Sequence, residues 1–179
     1  MMPRAVFLDR DGVLNRAFVR AGKPYPPASV AELQIAPDAV DALTLLRLAG
    51  YRLVVVTNQP DVARGLQTRE TVDAINAALA AALPLDEVRV CYHDDDDRCD
   101  CRKPEPGLLR RAPAHDLERS ILIGDRWRDI EAGRRAGVRA TILIDRGYDE
   151  LLPHEPDLRV RSLTDAAAWI LQLEMEVRA

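Results

Sequence analysis

Ala5-Val6-Phe7-Leu8-Asp9-Arg10-Asp11-Gly12 passes from four apolar residues to two carboxylates and a glycine. The apolar run reads as a strand buried on both faces, as in a parallel sheet. Its acidic end is where open α/β sheets keep their ligands. With one residue between them, Asp9 and Asp11 lie on the same side of an extended chain, close enough to share a metal ion and to influence each other's ionisation.

Four further apolar segments have the same character: Leu53 to Thr57, Val88 to Tyr92, Ile121 to Gly124 and Thr141 to Ile144. Helical patterns fill the intervals. Pro37 to Gly50 opens on a proline and closes on a glycine, and Thr68 to Leu83 is alanine-rich and stops at Pro84. A helix from Pro106 toward Asp116 should kink or stop early, because Pro113 has no amide hydrogen to donate. Trp127 to Ala136 ends at Gly137, and an edge strand over Arg159 to Leu163 precedes a last helix over Thr164 to Val177. This alternation predicts an α/β fold with a doubly wound parallel sheet. Val19 to Ser29, rich in proline and glycine, is expected to be an irregular loop over the site.

The chain has 179 residues, is 47% hydrophobic with 4% aromatics, and carries a net charge of −4. Residues 1–179 are accordingly expected to form one domain with an aliphatic core. No general nucleic-acid footprint is present. No apolar run approaches the length of a membrane span or a secretory leader, so a cytoplasmic protein without a membrane partner is expected. A monomer is the simplest reading.

The chemistry is concentrated where the strands end. Asp9 and Asp11 close the first, Thr57-Asn58-Gln59 the second, and Gly124-Asp125 a later one, with Asp129 one helical turn on. Parallel strands bring these ends to one edge. Lys103, in Cys101-Arg102-Lys103-Pro104, can reach that edge from a loop. The set suits a phosphate held between a cation and a metal.

Cys91, His93, Cys99 and Cys101 form a separate cluster, CxHx5CxC, inside eleven residues. Their spacing and softness point to tetrahedral Zn²⁺ with no open position, a structural site that would stiffen the loop carrying Lys103. Asp94 to Asp97, inside that loop, reads as a solvated tip. His115 and His154 read as surface or satisfied histidines.

The order DxD, Thr, Lys, GDxxxD resembles the haloacid dehalogenase (HAD) superfamily of phosphatases over residues 4 to 146. The resemblance implies a Rossmann-like core without a cap domain and a Mg²⁺-dependent reaction. Asp9 would be the nucleophile and Asp11 the acid and then the base, starting out protonated beside an ionised Asp9. Thr57 and the Asn58 amide would hold the phosphate and Lys103 would neutralise it. Mg²⁺ would bind Asp9, the Asp11 carbonyl and Asp125. The cysteine loop followed by CRKP is similar to the branch holding heptose-bisphosphate and histidinol-phosphate phosphatases. TNQ with Ala63-Arg64-Gly65 favours the former. A small phosphorylated metabolite, a sugar bisphosphate, is therefore the expected partner, with Arg64, Arg102, Arg126 and Lys23 as candidates for its second phosphate. Two other readings stay open: a phosphatase for another small metabolite, and a noncatalytic phosphate-binding or zinc-stabilised module.

Overall fold

The computed structural model describes residues 2–111 and 113–178. Strand β1 (Ala5–Leu8) lies at the centre of a six-stranded sheet. Its neighbours are β4 (Arg52–Asn58) and β6 (Ile121–Gly124), with β5 (Glu87–Cys91), β7 (Ala140–Ile144) and β8 (Leu158–Val160) outside them, in the order β5-β4-β1-β6-β7-β8. Every pairing in this sheet is parallel. The expected doubly wound sheet is therefore found, and the edge strand starts one residue before its expected position.

Side chains alternate across the sheet, as strand geometry requires. Val6 and Leu8 join a core with Leu43 and Leu46 of α1 (Ala39–Leu48), Leu79 of α2 (Arg69–Ala82) and Ala166 and Ile170 of α5 (Leu163–Arg178). Ala5 and Phe7 face the other layer, against Leu108 and Leu109 of α3 (Gly107–Arg110) and Ala132 of α4 (Trp127–Ala136). Both layers are mainly aliphatic, with Phe7 and Tyr51 as aromatic members.

One expectation is corrected. Val19 to Ser29 is not wholly irregular: β2 (Phe18–Arg20) and β3 (Lys23–Tyr25) pair as an antiparallel hairpin around Ala21 and Gly22, followed by a 3₁₀ turn at Val30–Glu32. An edge hairpin tolerates Pro24 because a strand with an unpaired side does not need every amide. The helix after Pro106 stops early, as expected, and spans Gly107–Arg110. Buried Arg89 supports this early end, donating to the carbonyls of Leu108 and Pro113 at 2.8 and 2.9 Å. Between β1 and α1 the structure holds only the hairpin and the 3₁₀ turn, so no cap domain stands there.

Candidate active site

The ends of β1, β4 and β6 meet beneath the hairpin, and the cleft between them measures about 440 Å³. Lys103 is its electrostatic centre. The ammonium is buried and donates to Oδ1 of Asp9 at 2.8 Å, Oδ1 of Asp129 at 2.5 Å and the Val56 carbonyl at 2.7 Å. Burial works against its charge, but Asp129 and Asp9 outweigh it and push its pKa up. Lys103 reaches this point because its loop is clasped to β4. The Asn58 side chain donates to the Lys103 carbonyl and accepts from its amide, both at 3.0 Å. Asn58 is thus a brace, and any contact of this residue with a phosphate falls to its backbone amide.

Asp9, Asp125 and Asp129 each bring a carboxylate oxygen within 4.8 Å of the others. Burial, partly offset by Lys103, leaves Asp9 with a pKa raised to about 6. Burial, reinforced by Asp9 and Asp129, drives Asp125 well above the usual carboxylate range. Three buried carboxylates against one ammonium are short of positive charge. Oδ1 of Asp125 is also buried with no hydrogen-bond partner. Hard oxygen donors and an unpaired carboxylate oxygen fit a Mg²⁺ ion.

Two glycines make this crowding possible. A Cβ on Gly12, whose φ is +86°, would stand 1.8 Å from Oδ2 of Asp125. One on Gly124 would stand 2.1 Å from Cβ of Asp129. The glycines of DxDG and GDxxxD are therefore spaces that two acidic side chains occupy.

Asp11 is held differently. Its carboxylate accepts from Arg10 (Nη2, 2.9 Å), Asn15 (Nδ2, 2.9 Å) and Gln59 (Nε2, 2.8 Å). Arg10 is fully buried and donates its other end to Oδ1 of Asn76 on α2 at 2.8 Å. Asp9 and partial burial are the expected influences on Asp11; to them the structure adds three donors, one of them cationic. Gln59 also donates to Oγ1 of buried Thr57, at 2.8 Å, on the cleft wall.

The structure brings Lys23, Arg64, Arg102 and Arg126 to this cleft, each lining its wall. Three of them have acidic partners that the sequence left unassigned. Arg64 makes two 2.6 Å bonds to Asp94, Arg102 donates to Asp95 at 2.8 Å, and Arg126 pairs with Glu150 at 2.8 Å. The acidic run at 94–97 is therefore not a merely solvated tip: its first two residues anchor cleft arginines. Arg128, absent from the expected set, shares Asp95 with Arg102 at 3.1 Å. Each guanidinium carries five N–H donors, so one oriented by a carboxylate keeps others for an incoming phosphate.

The cysteine loop closes on itself beside Lys103. The Cys91, Cys99 and Cys101 sulfurs stand 3.2, 3.5 and 3.7 Å apart, with Nδ1 of His93 at 3.4 and 3.6 Å from two of them. These edges suit a tetrahedron around Zn²⁺ with metal–ligand distances of ~2.0–2.3 Å. Cys99 also accepts from the Arg102 amide at 3.3 Å, which ties the cluster to the CRKP turn.

Asp129 was visible in the sequence as the end of GDxxxD, yet its partnership with Lys103 was not. Arg10 was missed because the middle residue of DxD reads as a spacer, and its partner Asn76 is 66 residues away. His115 and His154 are satisfied, against Arg89 and Glu131 respectively.

A central strand ending in DxDG, a lysine bridging Asp9 at that strand's end and Asp129 in the first turn of α4, and a short insertion after β1 define a HAD-type hydrolase. Residues 100–166 match the HAD-hydrolase-like family. D-glycero-beta-D-manno-heptose-1,7-bisphosphate 7-phosphatase of Pseudomonas putida is 34% identical over 82% of this chain and 85% of its own. The enzyme of the same name from Helicobacter pylori is 30% identical over 93% and 97%. In structure, the D,D-heptose 1,7-bisphosphate phosphatase of B. bronchiseptica, solved with magnesium and phosphate, superposes with a TM-score of 0.80 at 32% identity, covering 95% of this chain and 99% of that one. The chain belongs to the HAD hydrolases, in the family of the heptose-bisphosphate phosphatases.

Proposed function

We propose that this protein is a Mg²⁺-dependent phosphatase that removes the 7-phosphate of D-glycero-D-manno-heptose 1,7-bisphosphate through an aspartyl-phosphate on Asp9. The observation that carries the reading is the placement of Lys103 between Asp9 and Asp129, with Thr57 and Asp11 on the same cleft wall. The relatives' names supply the substrate, and the arginines around the cleft suit its second phosphate.

Asp9, Asp125 and the Asp11 carbonyl would hold Mg²⁺. When bound, the ion screens the phosphoryl charge and adds Lewis-acid polarisation. A carboxylate oxygen of Asp9 attacks phosphorus and the bond from phosphorus to the leaving oxygen breaks. Asp11 gives that oxygen its proton. Asp11 then takes a proton from water, which attacks the phosphoryl group and returns Asp9 and inorganic phosphate. The donors around Asp11 suit the base of this second step. Lys103 balances charge on the equatorial oxygens throughout, and Thr57 with the Asn58 amide orients them.

Zn²⁺ on Cys91, His93, Cys99 and Cys101 would hold the Lys103 loop rigid and take no part in the reaction. Arg102, Arg64, Arg126 and Lys23 would grip the non-reacting phosphate. We read residues 1–179 as one domain acting in the cytoplasm; two core layers on a single sheet support the first point.

Phosphate release from the heptose bisphosphate, histidinol phosphate and a set of nucleotides, each with and without Mg²⁺, tests the proposal. Preference for the heptose bisphosphate with Mg²⁺ is expected. Preference for histidinol phosphate would reassign the substrate, and no turnover of any monoester would leave a binding module.

A further inference from the structure

Tyr148 lies in the segment after β7, outside every motif of the site. Its hydroxyl donates to Oδ2 of Asp125 at 2.8 Å. The other oxygen, Oδ1, is the buried one without a partner. The two oxygens of one carboxylate are thus set apart, one by a fixed protein donor and one left for something else. Gly12 completes the arrangement, since a Cβ there would lie 1.8 Å from Oδ2 and 3.0 Å from the Tyr148 hydroxyl. Neighbouring contacts hold the segment. Arg146 donates to the Gly12 carbonyl at 2.8 Å, Glu150 pairs with Arg126, and the Gly147 amide donates to Asp145 at 2.9 Å.

We propose that Tyr148 is a positioning residue that makes Asp125 a one-oxygen ligand and so tunes the site for Mg²⁺ over larger divalent cations. The proposal rests on the reading of Asp125 as a metal ligand. Mg²⁺ requires near-ideal octahedral geometry, which favours carboxylates that each give one oxygen. Ca²⁺ accepts more ligands and readily takes both oxygens of a carboxylate. A hydroxyl that occupies Oδ2 blocks the second mode and fixes the rotation of the group. Outer-shell partners of this kind are worth about 10- to 100-fold in metal affinity.

Isothermal titration of the full-length protein with Mg²⁺ alone and Ca²⁺ alone tests this, using Tyr148→Phe, which keeps the ring and its packing and removes the donor. Mg²⁺ binding is expected to weaken about tenfold, with Ca²⁺ binding unchanged or tighter, so that selectivity falls. Wild-type constants for both ions, or an equal loss for both, would overturn the proposal, because loosened packing does not distinguish the ions. Asp125→Asn separates the premise from the inference. It should abolish Mg²⁺ binding, and wild-type Mg²⁺ binding in that variant would overturn the metal-site reading itself.

Discussion

Lys103 and Asp9 are 94 residues apart in the chain, yet Nζ and Oδ1 stand 2.8 Å from each other at the end of the central strand. The lysine arrives on a loop braced from two sides, by the Asn58 side chain and by the cysteine cluster. Charge neutralisation at the nucleophile therefore depends on how that loop is held.

Replacing Asp9 by asparagine keeps the shape of the side chain and removes the nucleophile. Turnover is expected to fall roughly 10⁴-fold or more. The circular dichroism spectrum should be that of the parent protein. Retained turnover would rule out covalent catalysis through Asp9.

Arg10→Met removes a buried donor from Asp11. The aspartyl-phosphate that Asp11 helps water to hydrolyse is common to all substrates, so kcat should fall on the order of 10²-fold for alkyl phosphates and for p-nitrophenyl phosphate alike. Comparing kcat for the two substrates checks it. A loss confined to the alkyl phosphate would place the role of Arg10 in leaving-group protonation, and unchanged kcat on both would remove Arg10 from the reaction.

Cys99→Ala should release zinc and lower the melting temperature, because the remaining three ligands cannot close the tetrahedron. Metal analysis and a thermal scan measure both. Stoichiometric zinc with an unchanged melt would remove the structural role of this site.

Asp95→Ala frees Arg102 and Arg128 from a shared carboxylate. The two guanidiniums then lose their common orientation. KM for the sugar bisphosphate should rise several-fold while kcat for p-nitrophenyl phosphate is unchanged, and steady-state kinetics on both substrates tests this. An unchanged KM would place the second phosphate elsewhere.

The pKa of Asp9, raised to about 6 from 3.8 by burial, makes stability without Mg²⁺ depend on pH. The folded protein holds this proton more tightly than the unfolded chain does. The group's contribution is therefore complete below about pH 4 and is lost as pH rises through about 6. Asp125 shifts in the same direction. Relative to magnesium-free buffer, saturating Mg²⁺ should raise the urea midpoint more at pH 7 than at pH 5. An equal rise at both pH values would show that the carboxyls lose no proton on binding.

Much of the fold was legible because the buried strands are continuous aliphatic runs and the helices between them carry their own end signals. The hairpin was not legible: Phe18–Arg20 and Lys23–Tyr25 show no alternating apolar pattern, and their pairing is a matter of backbone rather than burial. The helix after Pro106 shows the reverse case: Pro113 announced its early end, but the buried guanidinium that donates to the carbonyls of Leu108 and Pro113, that of Arg89, comes from β5.

Which residue types sit at strand ends is a property of the sequence, and with them come the expected nucleophile, the four soft ligands and the class of chemistry. Which atoms face one another is not. Arg10 on Asn76, Asp129 on Lys103, Asp95 between two arginines and Tyr148 on Asp125 join segments that no local pattern connects. Hydrogen bonds act over about 3 Å, so these pairings exist only once the packed sheet has brought distant stretches of chain to a common edge.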